Sequence, residues 1–356
     1  MSVAEVPRSS EVDDFEYSPR DVRVRQAMVE RMATSKHGVA FTPRELDKEK
    51  DPFRVLSTDL PHLDARPFDQ KEHDRLKEIL GKVLVTPESF EKCVDTIYEI
   101  LTDPEVIEHL EGGGNLIFAT SHISYIDLPA LLMALAEAKL RASNGESADT
   151  ENHHVIIGRM VGLFKMAGLG KDFSEGYVVD DGLLRLGGVF QTVPISETGS
   201  VVTEDDTKEI NGIFGPKYND IINKGGQIIV FAPSGEQHKI NDIGQSVMKY
   251  VKKGSARLIF MGNRSSDKNR TYGTFIDCQP FDGEGNFRGP ADLVIAVGEP
   301  FFPHTAKEVQ EILMPGVEAL GNQHRHSFTP EIVYERKPSG LIVGSAATKS
   351  AMSNKA

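Results

Sequence analysis

The residues best suited to chemistry in this sequence are a histidine and an aspartate five positions apart, His122 and Asp127. Histidine exchanges a proton near neutral pH, and a carboxylate in contact with one ring nitrogen holds the ring in one tautomer. The other ring nitrogen would then be free to act as a general base on a substrate hydroxyl. The alternative is that Asp127 only caps a helix and that His122 belongs to an unrelated loop. The two interpretations differ in whether the two side chains meet.

The sequence around this pair predicts a buried strand, a turn and a helix. An apolar run at 115–119, preceded by the glycines at 112–114, indicates the strand. Apolar residues at helical spacing indicate the helix: Leu128, Leu131, Leu132 and Leu135. Asp127 immediately precedes this helix and Pro129 lies in its first turn, which is the chemistry of a helix N-cap. His122 would therefore lie at the carboxyl end of a strand, where ligands bind in parallel sheets.

Downstream of this helix, apolar runs alternate with helical stretches, which predicts an α/β fold with a mostly parallel sheet flanked by helices. The predicted strands lie at 154–157, 189–193, 227–232, 257–261 and 293–297. The predicted helices lie at 160–168, 204–224, 244–253 and 305–320. Upstream, helical spacing predicts a small N-terminal helical region, with one helix beginning near Asp69 and a second at 87–102. The chain thereby divides into an irregular or disordered N-terminal segment at 1–68, a small helical domain at 69–111, an α/β domain at 112–336 and a flexible tail at 337–356.

A second loop of interest is FAPSGEQHK at 231–239, which follows one of the predicted strands. Pro233 and Gly235 favour a tight turn, whose backbone N–H groups could face an anion or a developing oxyanion. His238 and Lys239 could add positive charge. The alternative is an ordinary connection between a strand and a helix. Because both loops follow the carboxyl ends of strands in one predicted sheet, they could face the same pocket.

The composition is that of a globular protein with an acidic balance. The chain of 356 residues has 40 Lys or Arg and 53 Asp or Glu, a net charge of −13, which argues against nucleic-acid binding. Cys93 and Cys278 are too few for a disulfide framework and suit a reducing compartment. Adjacent His153 and His154 would point to opposite sides of a strand, so no metal site is predicted. Without a signal peptide or an apolar run of spanning length near the motif, we expect a cytoplasmic protein.

One stretch of the chain reverses the overall charge. Residues 249–270 contain seven Lys or Arg and one Asp, a local net charge of +6. A solvated helix face explains such a run. The alternative is docking of an anion: the phosphates of a carrier, an acidic carrier protein, or a lipid surface that the protein would contact peripherally.

Together, the His122–Asp127 motif and the loop at 231–239 resemble the glycerolipid acyltransferase superfamily. Within it, the nearest resemblance is to the soluble, chloroplast-type glycerol-3-phosphate acyltransferases, whose second motif also runs through Ala-Pro-Ser-Gly after an apolar strand. The wider family has Phe-Pro-Glu-Gly there, and the residues at 233–236 occupy that place. The resemblance covers roughly 112–300. It implies a small helical domain leading into an α/β domain, and acyl transfer with His122 as the base and Asp127 as its partner.

The resemblance also implies the substrates. The acyl donor would be acyl-CoA or an acyl-carrier protein, the acceptor would be the hydroxyl of glycerol 3-phosphate in phospholipid synthesis, and no further cofactor would be required. The substrate-binding residues would come mainly from the second motif: Ser234, Gly235, Glu236, His238 and Lys239. Lys239 matches one family cation, whereas Gln237 stands where another is expected, and Arg185 is one of the residues that could replace it. Two alternatives stay open: an acyltransferase for a lysophospholipid or another hydroxyl acceptor, and a non-catalytic lipid- or acyl-carrier-binding protein.

Overall fold

The computed structural model of the protein describes part of the chain, referred to below as the described residues. They are 41–43, 62–78, 80–81, 84–123, 126–145, 150–158, 164–166, 181–192, 204–234, 239–240, 246–247, 251, 253–263, 266–280, 289–324, 335–336 and 342–343. Most of the predicted segments at 1–68 and 337–356 lies outside these ranges, and the predicted domain boundaries stay predictions.

The helices and strands are numbered in chain order. The first group is β1 (Phe41–Pro43), β2 (His62–Leu63), α1 (Gln70–Glu78), α2 (Pro87–Thr102), α3 (Pro104–Glu111) and β3 (Asn115–Thr120). The second group is α4 (Asp127–Ala142), β4 (His153–Gly158), β5 (Phe164–Met166), α5 (Asp181–Leu186), β6 (Gly188–Thr192), α6 (Glu204–Lys224) and β7 (Ile228–Phe231). The third group is β8 (Lys239–Ile240), β9 (Ser246–Val247), α7 (Lys253–Phe260), a 3₁₀ turn (Met261–Asn263), β10 (Asn269–Asp277), β11 (Val294–Val297), α8 (Ala306–Glu308), a π-helical turn (Val309–Leu313), α9 (Met314–Gln323), β12 (Glu335–Arg336) and β13 (Ile342–Val343).

Seven strands form one sheet in the order β11–β10–β3–β7–β4–β6–β2. The five inner strands, from β10 to β6, run parallel to one another. The two edge strands, β11 and β2, are antiparallel to their neighbours. The predicted α/β fold with a mostly parallel sheet is therefore confirmed. The carboxyl ends of the inner strands all lie at one edge of the sheet, which is where a ligand site is expected.

Helices cover both faces of this sheet, and alternate residues of each strand pack to opposite sides. In β3, Leu116 and Phe118 belong to a core that also contains residues of α2 and α4. Ile117 and Ala119 belong to a second core that contains residues of α6, α7 and α9. All six residues of β3 are buried for this reason, so the strand is an apolar run rather than an alternating one.

Helix α4 lies between the sheet and α2, and its residues from 127 to 138 are buried on every side. One of them is charged: Glu137 accepts hydrogen bonds from His73 and Lys77 of α1, each at 2.5 Å. Burial alone would raise the pKa of Glu137, but these two hydrogen bonds outweigh it and lower that pKa below its usual value. Among the described residues, no helix is long and apolar enough to cross a bilayer.

The structure departs from the sequence prediction in the region after α6. The predicted strand at 257–261 is wrong, because most of it is the end of α7, whose Ala256 and Ile259 face the second core at helical spacing. The nine-residue strand β10 was not predicted, because polar residues and a glycine interrupt its apolar run. The predicted helix at 160–168 contains β5, and the one at 244–253 contains β9, so both are wrong at those residues.

Candidate active site

His122 lies where the chain leaves β3 at the carboxyl edge of the sheet. The strand is fastened to both neighbours up to that point. On one side Thr120 donates from Oγ1 to the carbonyl of Phe231 in β7 at 3.3 Å. On the other side the backbone N–H of Ser121 donates to the carbonyl of Thr274 in β10 at 2.9 Å. His122 is therefore the first residue of the turn, and it directly follows two residues that are hydrogen-bonded to β7 and β10.

The side chain of Ser121 continues the attachment to β10. Its hydroxyl oxygen accepts a hydrogen bond from the backbone N–H of Ile276 at 2.8 Å and donates to the carbonyl of the same residue at 3.0 Å. Ser121 is buried, with 1% of its surface exposed. Sequence reasoning missed this residue, because its role depends on a strand that was not predicted.

Asp127 is fully buried and is the first residue of α4, not its N-cap as predicted; the N-cap is Ile126 and makes no side-chain cap hydrogen bond. The carboxylate turns back toward the preceding loop. Its Oδ2 accepts a hydrogen bond from the backbone N–H of Ile123 at 2.5 Å. The negative charge also lies at the positive end of the α4 dipole, which stabilises an ionised carboxylate in this buried position.

His122 and Asp127 lie close to each other. Nδ1 of His122 is 3.6 Å from Oδ2 of Asp127, beyond hydrogen-bond length but near enough for direct electrostatic interaction. The Nδ1 atom is buried and has no hydrogen-bond partner among the described residues. The His122 side chain as a whole is 18% exposed, so the ring is accessible to a ligand. A contact of this length is compatible with a general base, because catalytic hydrogen bonds often tighten only in the complex with substrate.

The second predicted loop begins at the same edge of the sheet. Ala119 of β3 is the partner of Phe231 of β7 in the parallel register. Ser234 follows Phe231 by three residues, as His122 follows Ala119, so the two loops leave adjacent strands side by side. Ser234 is buried, with 3% of its surface exposed. Gly235, Glu236 and His238 lie outside the described residues, and Lys239 begins β8, where it pairs with Val247.

Arg185 is not brought to this site. It lies in the last turn of α5, directly before β6, and so at the amino edge of the sheet, opposite His122. Its Nη1 donates to the carbonyl of Pro67 at 2.6 Å, and its own carbonyl accepts a hydrogen bond from Thr150. Spacing in the sequence could not reveal this, because which edge a residue occupies depends on strand order. Arg185 is therefore not positioned to bind a substrate beside His122.

The two cysteines are poor candidates for a nucleophile at this site. Burial, with a further contribution from the Asp127 carboxylate, raises the pKa of the Cys278 thiol far above its usual value. Burial raises the pKa of the Cys93 thiol to about 12. Both thiols therefore stay protonated near neutral pH, and a thiolate is the form that attacks.

A separate group of histidines lies at the opposite, amino edge of the sheet. Nε2 of His62 is 3.2 Å from Nδ1 of His154, and Nε2 of His154 is 2.8 Å from Oε1 of Gln227. The adjacent His153 is completely buried. Within the described ranges, no group of three or more His, Cys, Asp or Glu side chains could hold a metal ion.

In comparisons with known proteins, no protein-family model and no curated protein matches this chain.

Proposed function

We propose that the protein is an acyltransferase that moves a fatty acyl chain from a CoA or acyl-carrier-protein thioester to the hydroxyl of glycerol 3-phosphate. The observation that carries this proposal is the position of His122. Its accessible imidazole lies at the carboxyl edge of the parallel sheet, 3.6 Å from the buried carboxylate of Asp127. An imidazole with a carboxylate behind one nitrogen is suited to remove a proton from a hydroxyl group with the other nitrogen.

In the proposed reaction, the acceptor hydroxyl lies against Nε2 of His122. Its oxygen attacks the thioester carbonyl while the proton moves to the imidazole, so a C–O bond forms and an oxyanion develops. The carbonyl is restored as the C–S bond breaks, and the thiolate takes the proton back from the imidazolium. Asp127 stabilises the imidazolium between the two steps, because its charge is buried beside Nδ1.

The loop after β7 would stabilise the oxyanion. Ser234 lies in this loop three residues after Phe231, as His122 lies three residues after Ala119 on the neighbouring strand, which supports a shared site. Backbone N–H groups of Ser234, Gly235 and Glu236 would be the donors, and such donors typically contribute a large share of rate enhancement in acyl transfer. Lys239, with His238 beside it in the sequence, would bind the acceptor phosphate.

The deciding experiment follows thiol release from acyl-CoA with and without hydroxyl acceptors. The panel contains glycerol 3-phosphate, a lysophospholipid and glycerol. We expect release that depends on glycerol 3-phosphate, together with acylated glycerol 3-phosphate as the product. Thiol release that occurs only with the lysophospholipid would mean that a lysophospholipid, not glycerol 3-phosphate, is the acceptor. Release without any acceptor would indicate a thioesterase. Binding of acyl-CoA without release would indicate a non-catalytic carrier.

The His122→Ala variant tests the base in the same assay. We expect the rate to fall by about 10²–10⁴-fold, which is the usual contribution of general-base catalysis. His304→Ala is the matched control, because His304 is a half-exposed histidine hydrogen-bonded to the carbonyl of Asn263. A folded His122→Ala protein that acylates at the wild-type rate would end the proposal.

A further inference from the structure

The exit of the chain from β3 involves an exchange of hydrogen-bond partners with β10. In the parallel register Thr120 is opposite Thr274, and the N–H of Ser121 donates to the carbonyl of Thr274. If the ladder continued, the N–H of Ile276 would donate to the carbonyl of Ser121, and the N–H of Ile123 would donate to the carbonyl of Ile276.

Neither of these two backbone bonds is needed, because side chains take their places. The Ser121 hydroxyl accepts from the N–H of Ile276 at 2.8 Å and donates to its carbonyl at 3.0 Å. The N–H of Ile123 donates instead to the Asp127 carboxylate at 2.5 Å. The N–H and the carbonyl of Ile276 and the N–H of Ile123 are thereby satisfied although the strand has ended, which matters because an unpaired buried backbone group is costly.

His122 is the residue between the two exchanged positions. The residue before it is fixed to β10 by a hydroxyl, and the residue after it is fixed to the helix by a carboxylate. By the alternation of β3, position 122 lies on the same side as Leu116 and Phe118, which pack with α4, and the two exchanged contacts fix the backbone on either side of it. The hydroxyl at 121 therefore allows β10 to remain fully paired while the chain turns away.

We propose that Ser121 is a positioning residue, whose hydroxyl replaces two backbone partners of Ile276 and thereby sets the imidazole of His122 against Asp127 for catalysis. The proposal rests on the function proposed above for its kinetic consequence, but the placement of the ring is a separate, structural claim. Ser121 has no contact with substrate in this account and acts only through His122.

The kinetic test compares Ser121→Ala, Ser121→Cys and Ser121→Thr in glycerol 3-phosphate acylation. Ala removes both hydrogen bonds, Cys keeps the shape but is a weak donor and acceptor, and Thr keeps the hydroxyl. We expect Ala and Cys to lower kcat by about tenfold or more with KM nearly unchanged, because only the geometry of the base is disturbed. We expect Thr to restore kcat.

Ser89→Ala is the matched control. Ser89 likewise bridges two backbone groups with one hydroxyl: it accepts from the N–H of Leu293 at 2.9 Å and donates to the carbonyl of Thr86 at 2.9 Å. This bridge ties α2 to β11 and is unrelated to His122. A loss of stability without a loss of kcat is expected there. If Ser121→Ala keeps the wild-type kcat, or if Ser89→Ala lowers kcat equally, the proposal is overturned.

A second measurement does not depend on activity. Carbethoxylation of His122 by diethylpyrocarbonate, followed by peptide mass spectrometry, reports how accessible the ring nitrogens of His122 are. We expect Ser121→Ala and Ser121→Cys to raise the rate at His122 about threefold or more, with His109 unchanged as the internal control. An equal rate in wild type and variants would refute the positioning role. If the wild type transfers no acyl group but this rate rises, the proposed function fails and the positioning role stands.

Discussion

At the scale of the residue, the decisive group is the Asp127 carboxylate, because one oxygen serves two neighbours. Oδ2 is 2.5 Å from the N–H of Ile123 and 3.6 Å from Nδ1 of His122. The shorter contact fixes the shape of the turn, and the longer one acts on the imidazole. The carboxylate therefore contributes to stability and, under the proposed function, to catalysis, and the two contributions can be separated experimentally.

Asp127→Asn makes that separation. The amide oxygen can still accept from the N–H of Ile123, so we expect the free energy of unfolding to fall by only about 1 kcal/mol as a charge-assisted hydrogen bond becomes a neutral one. The lost charge can no longer stabilise an imidazolium, so kcat should fall by about 10²-fold. Urea unfolding and steady-state kinetics measure the two effects. A fall in stability with unchanged kcat would mean that Asp127 only closes the turn.

From the sequence alone, contact between the two side chains and a simple helix cap at Asp127 were both open, and the structure places Nδ1 of His122 3.6 Å from Oδ2 of Asp127. Asp127 was expected to cap α4, whereas it accepts from the N–H four residues earlier in the chain. The spacing of apolar residues can show where a helix begins. It cannot show that the N–H of Ile123 needs a side-chain acceptor, because that depends on where the pairing of β3 with β10 ends.

At the scale of the element, one buried charge contributes to the attachment of α1 to α4, beside the apolar contact of Leu76 with the same core. Glu137 of α4 is hydrogen-bonded to His73 and Lys77, and Lys77 lies 3.7 Å from Glu91 of α2. The carboxylate is stable in a buried position because two donors satisfy it. Lys77 of α1 therefore connects to both α4 and α2.

Glu137→Gln should release α1. The amide cannot balance the charge of Lys77, and His73 stays buried with a weaker acceptor, so we expect a loss of about 1–3 kcal/mol in the free energy of unfolding. Urea denaturation at pH 7.5 measures it. Glu88→Gln is the control, because the Glu88–Lys92 pair is almost fully exposed and should contribute nothing measurable. Equal effects of the two substitutions would contradict the role given to Glu137.

The sequence located well those helices and strands in which the pattern of apolar residues matches the pattern of burial in the structure. Helix α6 was predicted at 204–224, which are its bounds in the structure, and β3 and β7 were found as apolar runs. In contrast, β10 is buried through threonines and Tyr272 and has no continuous apolar run. The short run at 257–261 fits a helix or a strand equally, and only its packing decides.

At the scale of the whole molecule, the group formed by His62, His153 and His154 links stability to pH. Burial, assisted by His154, lowers the pKa of His62 from 6.5 to about 3, although Asp64 acts against this. Burial also lowers the pKa of His154 and of His153. Nearby lysines also lower these pKa values. Lys217 and Lys224 act on His62 and His154, and Lys139 acts on His153.

Acid should therefore weaken the fold. Below the unfolded-state pKa of 6.5, a histidine in the unfolded chain binds a proton that the folded protein does not accept until about pH 3 for His62. Stability is fully present above pH 6.5 and falls as the pH decreases, by about 1.4 kcal/mol per pH unit for His62, and His153 and His154 contribute in the same direction. Urea unfolding at pH 7.5, 6.5 and 5.5 measures the slope.

His62→Gln should reduce that slope, because it removes a histidine whose pKa is lowered by burial in the folded protein. A free energy of unfolding that is constant from pH 7.5 to 5.5 would show that these histidines are protonated equally in both states.

The hydroxyl of Ser121 reaches a partner that lies 155 positions further along the chain, at Ile276. The turn that carries His122 can therefore not be completed until β10 has been synthesised and inserted beside β3. A nascent chain that ends before Ile276 would contain His122 and Asp127 but would lack the hydrogen bonds between Ser121 and Ile276. Contacts across so long a loop also slow folding, so the site should form among the last features of the refolding protein.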